Sequence, residues 1–212
     1  MLPRLRMCIT GVLRFLFPGD ADSALRLASG TCCDWPSRTA MSNRPIILLD
    51  FDDVIVLNRP GQFGGYDVIA PNPPPELWSR LFHIPATETL VEALTEHGAR
   101  VVITTSWLRF MMREGFERLF AMTGLEVLTK SLHDAWEAPQ NRGETRAQAI
   151  DRWLAAHHRG EPYVILDDEL SGTGLSRSVH EKQGRLVLCK EDVGLHRGHL
   201  ALIRAALTKT PS

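Results

Sequence analysis

Four short apolar runs recur along the chain: Ile46-Ile47-Leu48-Leu49, Val101-Val102-Ile103, Val164-Ile165-Leu166 and Leu186-Val187-Leu188. No polar residue interrupts any of them, as expected of strands covered on both faces in a parallel sheet. Leu125-Glu126-Val127-Leu128 is a weaker fifth candidate. The stretches between the runs carry helical spacing. Thr87 is placed to N-cap a helix whose inner face is Leu90, Val91 and Leu94 and whose stop is Gly98. Trp107 to Met122 is rich in Leu, Phe and Met and stops at Gly124. Ile150, Trp153 and Leu154 mark a third helix, and Leu200, Ile203 and Leu207 a last one. Strand and helix in alternation predict an α/β fold of three layers, Rossmann-like, with a mainly parallel sheet.

Leu57 to Ala86 breaks this rhythm with PNPPP at 71–75 and the short amphipathic stretch ELWSRLF. The segment is too small for a full cap domain and reads as a flap after the first strand. The linker at 129–143 is short as well. Gly61, Gly64 and Gly65 lack the strand and helix context of a dinucleotide loop and suit a turn in that flap.

Charge divides the chain further. Residues 1–40 hold five arginines and three aspartates, a local charge of +2, which leaves the remaining 172 residues at −3 of the total −1. The apolar stretch MCITGVLRFLF is broken by Arg14, too short for a membrane span, and poor as a signal peptide. This lead reads as an extension outside the domain, or as an early start with Met41 as the real beginning, so the catalytic domain is expected at 41–212 in a cytoplasmic protein. Near-neutral charge excludes global attraction to long nucleic acid or anionic membrane. With 44% hydrophobic and 23% charged residues the chain is not disordered as a whole. Cys8, Cys32, Cys33 and Cys189 form no C-x-x-C pair, which argues against a zinc site or disulfide framework.

Ligands of open α/β sheets bind beyond the carboxyl ends of the strands. The first run ends in Asp50-Phe51-Asp52-Asp53, the second in Thr104-Thr105-Ser106-Trp107, and the third in Asp167-Asp168. Carboxylates gathered on one rim repel one another and call for a cation; oxygen ligands without His or Cys favour a hard ion, Mg²⁺ above all. The hydroxyls and amides around Thr105 and Ser106 suit phosphate oxygens.

These residues resemble the haloacid dehalogenase-like (HAD) hydrolase superfamily: LLDFDDV at 48–54, VVITTS at 101–106 and VILDD at 164–168 match its strand-end motifs in order and spacing. TTSW, AIDRWL and LVLCKEDVGL are similar to the HAD domains associated with Swiss-army-knife RNA repair proteins. The resemblance implies a Mg²⁺-dependent phosphatase working through an aspartyl-phosphate. In it Asp50 is the nucleophile and Asp52 the acid and base. Mg²⁺ is held by Asp50, the Asp52 backbone carbonyl and Asp167, with Asp168 in support, while Thr105 and Ser106 hold the phosphoryl oxygens. The family's usual lysine is missing from NRGETRAQAIDRWL. Arg146 is the best-placed substitute, with Arg142 and Lys130 as alternatives; arginine clamps phosphate bidentately where lysine is a point charge. The implied substrate is a phosphorylated small molecule, a nucleotide or a nucleic-acid end.

Other residues carry weaker signals. His196 and His199 lack an acidic or cysteine partner nearby and read as a solvent-exposed pair. His157-His158 at a helix end suits the dipole. Trp107 either stacks on a substrate base or packs as the first large residue of its helix. Two other readings compete with the enzyme: a receiver domain, which the late position of the acidic doublet opposes, and a HAD-fold binding domain that has lost activity.

Overall fold

The computed structural model of the chain describes residues 44–209. The basic lead at 1–40 and the expected start at Met41 lie outside them. The four uninterrupted runs form strands β1 (Ile46–Leu49), β2 (Arg100–Ile103), β4 (Tyr163–Asp168) and β5 (Leu186–Cys189). With β3 (Leu132–Glu137) they make a five-stranded, all-parallel sheet in the order β3-β2-β1-β4-β5. Two one-turn helices, α1 (Gly65–Val68) and α2 (Leu77–Arg80), precede α3 (Ile84–His97) between β1 and β2. A 3₁₀ turn (Ser106–Arg109), α4 (Arg113–Met122) and α5 (Glu126–Ser131) lead to β3. Helix α6 (Arg146–His157) leads to β4, α7 (Val179–Lys182) to β5, and α8 (Leu200–Thr208) ends the described chain.

Side chains of a strand alternate between faces, so each run feeds two cores. Ile47, Leu49, Val101, Ile103, Val164 and Leu166 pack with Leu90 and Leu94 of α3, Phe116 and Phe120 of α4, and Ile203 and Leu207 of α8. Ile46, Leu48, Val102 and Ile165 pack on the other face against Ile150 and Trp153 of α6. Burying such a side chain contributes roughly 1.5–3 kcal/mol. These two cores are the reason the strand runs admit no polar residue. Cys189 sits in the first core, where burial and then the neighbouring carboxylates push its thiol up to about 12. It therefore behaves as a small apolar side chain.

The sheet grows from β1 through β2 to β3 in one direction, then α6 carries the chain over to β4 on the other flank of β1. Strand order reverses between β1 and β4, which opens a crevice at their carboxyl ends.

Three expectations need correction. Leu125–Leu128 is not a strand, since Glu126–Ser131 is helical. The fifth strand is instead LHDAWE, inside what reads as a linker, and among the described residues it pairs only with β2, through an irregular register. The region 107–122 is two elements, because Phe110–Met112 interrupts it. Thr87 is not a cap: α3 starts at Ile84 with Pro85 in its first turn, and the Thr87 hydroxyl donates back to the Ile84 carbonyl at 2.9 Å. Gly98 does close that helix, in the left-handed conformation at φ 56°. No helix among the described residues is long and apolar enough to cross a membrane.

Candidate active site

The first strand continues its ladder one residue past Leu49, as the Asp50 amide donates to the Leu166 carbonyl at 2.9 Å. Phe51 then drives into the core, edge-on to Phe82, Trp107 and Phe116 at centroid distances of 6.0, 5.3 and 5.7 Å. Its carbonyl accepts from the amides of Val54, Ile55 and Val56. This anchored residue separates Asp50, which is buried, from Asp52, which is half-buried and turned outward. The turn needs Asp53 in the left-handed region at φ 52°, a conformation Asp tolerates better than most residues. Its carboxylate accepts from the Asn58 amide and side chain at 3.2 and 2.8 Å and from the Asp192 amide at 3.1 Å. Asp53 thus ties two loops together.

Across the crevice, Asp167 and Asp168 end β4 and pair with Leu188 and Cys189. Carboxylate oxygens of Asp50, Asp167 and Asp168 all lie within 4.8 Å of one another. Asp168 accepts the amides of Leu170 and Ser171 at 2.7 and 2.8 Å, forming a turn that brings back the Ser171 hydroxyl. That hydroxyl stands 3.0 Å from Asp50 Oδ2, 3.2 Å from Asp167 Oδ1, and against Asp168 Oδ2. The turn requires Gly172, because a Cβ there would lie 2.5 Å from the Asp168 carbonyl.

Helix α6 supplies the countercharge. Thr145 caps it by accepting from the Gln148 amide at 3.2 Å, and the Gln148 side chain accepts from the Thr145 amide at 2.8 Å. This capping box sets Arg146 in the first turn, its amide donating to Thr173 Oγ1 at 2.9 Å. Arg146 is 2% exposed, with Nη2 3.4 Å from Asp50 Oδ1 and Nε 3.1 Å from Asp167 Oδ2. Arg142 and Lys130 are both exposed.

One arginine does not balance the acids. Burial raises the pKa of Asp50 despite Arg146, and it raises Asp167 well above the usual carboxylate range, with the Asp50 charge adding to it. Asp50 Oδ1 and Asp167 Oδ2 are buried without a hydrogen-bond donor; the Arg146 Nε beside Asp167 is close but misaligned. Apart from backbone amides, the three carboxylates share a single hydroxyl proton, an arrangement that calls for added positive charge. Oxygen-only donors of this kind fit a hard divalent cation such as Mg²⁺.

Asp52 faces a different environment. Its Oδ2 accepts from the Trp107 indole Nε1 at 3.0 Å and from Ser106 Oγ at 3.5 Å. Burial, then the Asp50 charge, raises its pKa to about 6, with the indole hydrogen bond opposing the rise. Thr105 is buried, and its Oγ1 accepts from the Trp107 amide at 3.4 Å, capping the 3₁₀ turn. Ser106 is exposed beside Asp52. Asp52, Ser106, Trp107 and Ser171 line a cleft of about 500 Å³ that runs under the flap to Tyr66, Arg109 and Phe110.

The structure thus gathers Asp50, Asp167, Asp168 and Arg146, and sets Asp52, Ser106 and Thr105 around Trp107. The carboxylate of Asp52 is not in the acid cluster. Trp107 is 2% exposed, so packing describes its ring and base stacking does not. Ser171 and the Trp107–Asp52 hydrogen bond are not evident from the sequence; a Ser three residues past an Asp is an ordinary turn signal. His196 and His199 stack at 3.9 Å, and His196 Nδ1 accepts from the Gly198 amide at 3.1 Å, a local cap remote from the acids in the chain. His157 packs on Trp153.

A parallel sheet carrying D-F-D, a hydroxyl turn and D-D at its switch point defines a HAD-like protein. The sequence model of one family, the HAD domain in Swiss Army Knife RNA repair proteins, matches residues 46–200, and the chain belongs to that family. No curated protein and no solved structure matches the chain. Family membership together with the buried acid cluster suggests a hydrolase of the phosphatase type with a metal site.

Proposed function

We propose that the chain is a Mg²⁺-dependent phosphohydrolase that cleaves a phosphomonoester, such as a nucleotide or nucleic-acid end, through an aspartyl-phosphate. The observation that carries this reading is the division of labour between two aspartates two residues apart. Asp50 lies among acids and a guanidinium, and Asp52 is turned to the cleft with its pKa raised to about 6.

Asp50 attacks phosphorus as the bond to the leaving oxygen breaks, and the proton on Asp52 passes to that oxygen. Asp52, now ionised, takes a proton from water as the water attacks the aspartyl-phosphate, which frees Asp50 and restores the acid. A pKa near 6 suits a group that must act in both forms near neutrality. Arg146 neutralises charge on Asp50 and the transferred group, and Ser106 and Thr105 offer amide and hydroxyl donors to phosphoryl oxygens. Asp50, Asp167 and Asp168 would hold Mg²⁺ with the Asp52 backbone carbonyl, and the ion would neutralise the acids and the phosphoryl oxygens. Cytoplasmic location fits this reading.

Purified protein with Mg²⁺ is expected to hydrolyse a generic aryl phosphate, with EDTA abolishing turnover. Unchanged turnover in Asp50→Asn would refute the covalent mechanism. No turnover of any phosphomonoester by the wild type would favour a binding domain.

A further inference from the structure

The cleft that starts at Asp52 ends on an aromatic shelf that the hydrolytic chemistry does not use. From the core outward, Phe51 meets Trp107 at 5.3 Å, Trp107 meets Phe110 at 6.3 Å and 30°, and Phe110 meets Tyr66 at 6.0 Å and 22°. The row begins buried and ends in solvent: Trp107 is 2% exposed, Phe110 37% and Tyr66 83%. Gly65 makes this possible, because a Cβ there would lie 2.7 Å from the Trp107 ring and 2.9 Å from Phe110 Cζ. The flap therefore lies flat on the indole and presents Tyr66 beside Phe110. Two nearly parallel rings stack on each other at the mouth of a cleft of about 500 Å³, and most of Tyr66 stays open to solvent.

We propose that Tyr66 and Phe110 form a specificity-determining shelf for the nucleobase of a nucleotide or oligonucleotide terminus whose phosphate is held at Asp50. This rests on the phosphohydrolase reading and names the leaving group. Two features favour a base over an aryl phosphate. The shelf begins beyond Trp107, the ring that bonds Asp52, so a planar group reaches it only with a spacer between itself and the phosphate. A nucleoside has that spacer in its sugar, whereas the ring of a phosphotyrosine is joined directly to the ester oxygen. Arg109, exposed in the same cleft wall, is placed for a further phosphate of an oligonucleotide. Stacking of bases on aromatic side chains tolerates any base, so the shelf selects for a nucleobase rather than for a particular one.

The test is equilibrium binding to the full chain carrying Asp50→Asn, with Mg²⁺, using adenosine 5′-phosphate, adenosine 3′-phosphate, ribose 5-phosphate and phosphotyrosine. At least one adenosine phosphate is expected to bind roughly 10-fold or more tighter than ribose 5-phosphate. Adding Tyr66→Ala or Phe110→Ala should bring that ratio towards one, while Tyr66→Phe keeps it. Tyr66 is so exposed that its truncation does not threaten the fold. Equal binding of adenosine and ribose phosphates, a ratio that survives both alanine variants, or no binding of any ligand overturns the shelf. Tightest binding of phosphotyrosine, lost in Tyr66→Ala, reassigns it to a phosphoprotein. Because binding is read without turnover, its failure is distinct from failure of the wild type to hydrolyse an aryl phosphate.

Discussion

The cleft has two walls built on opposite principles. The wall at β1 and β4 is buried, charged and locked by the ladder, with Asp50 and Asp167 in the sheet and Arg146 fixed by a capping box. The wall at the flap is exposed, aromatic and carried by one-turn helices and glycines. Charges separated by 3–4 Å act strongly only in a dry and rigid setting, and the strands provide one. Stacking needs surface and little rigidity, and a loop provides that. Substitutions in the first wall should therefore change folding and chemistry together, and those in the second binding alone.

The largest expected effect breaks chemistry without harming the fold. Asp50→Asn should lower kcat by at least ~10³-fold, while raising the melting temperature in EDTA by removing a buried charge. A lower melting temperature would mean that Asp50 is already compensated without metal. Arg146→Ala comes next: it strands Asp50 and Asp167, and urea unfolding should show a loss of about 3–5 kcal/mol. Lys130→Ala should stay within about 0.5 kcal/mol and leave phosphate affinity intact. Equal effects of the two would reject Arg146 as the countercharge.

Trp107→Phe keeps the ring in the core but removes the donor to Asp52. A hydrogen bond to a charged group is worth about 1.5–3 kcal/mol, so kcat should fall about 10-fold with little change in KM. A rise in KM alone would place Trp107 in binding. The last effect concerns pH. The pKa of Asp52 is about 6 in the folded chain against an ordinary 3.8, so the folded state binds more protons across that window. Asp52 then has no destabilising effect at the acid end, and the chain loses stability as pH rises towards and through 6. In EDTA, Asp52→Asn should melt above the wild type at pH 8, with the gap closing by pH 4. A gap independent of pH would contradict the raised pKa.

Much of the charged wall is legible in the sequence. Strands β1, β2 and β4 are covered on both faces, which leaves uninterrupted apolar runs with acids after β1 and β4 and hydroxyls after β2; β5, an edge strand, keeps the apolar run LVLC. Arg146 is readable from its place before AIDRWL. The edge strand β3 is not, because an edge tolerates the polar LHDAWE that a central strand would reject. Contacts between distant segments are equally hidden. The Asp53 carboxylate meets the Asp192 amide, and the Trp107 indole meets Asp52, through loops whose paths no local pattern fixes. The aromatic shelf is invisible for the same reason: Tyr66 and Phe110 are ordinary residues until Gly65 lets them meet.

The central place of β1 has a consequence for synthesis. Ile46 pairs with both Arg100 and Tyr163, the second far along the chain. Ribosomes add about 5–20 residues per second, so β1 must wait for one flank until Tyr163–Asp168 has been made. In that interval it presents an apolar edge of the kind that invites aggregation. The nascent protein also lacks Arg146, Asp167 and Asp168, so Asp50 has neither its countercharge nor its fellow acids. The acid cluster is thus complete only once β4 has been made, and a chain cut short before β4 is left with one edge of β1 bare.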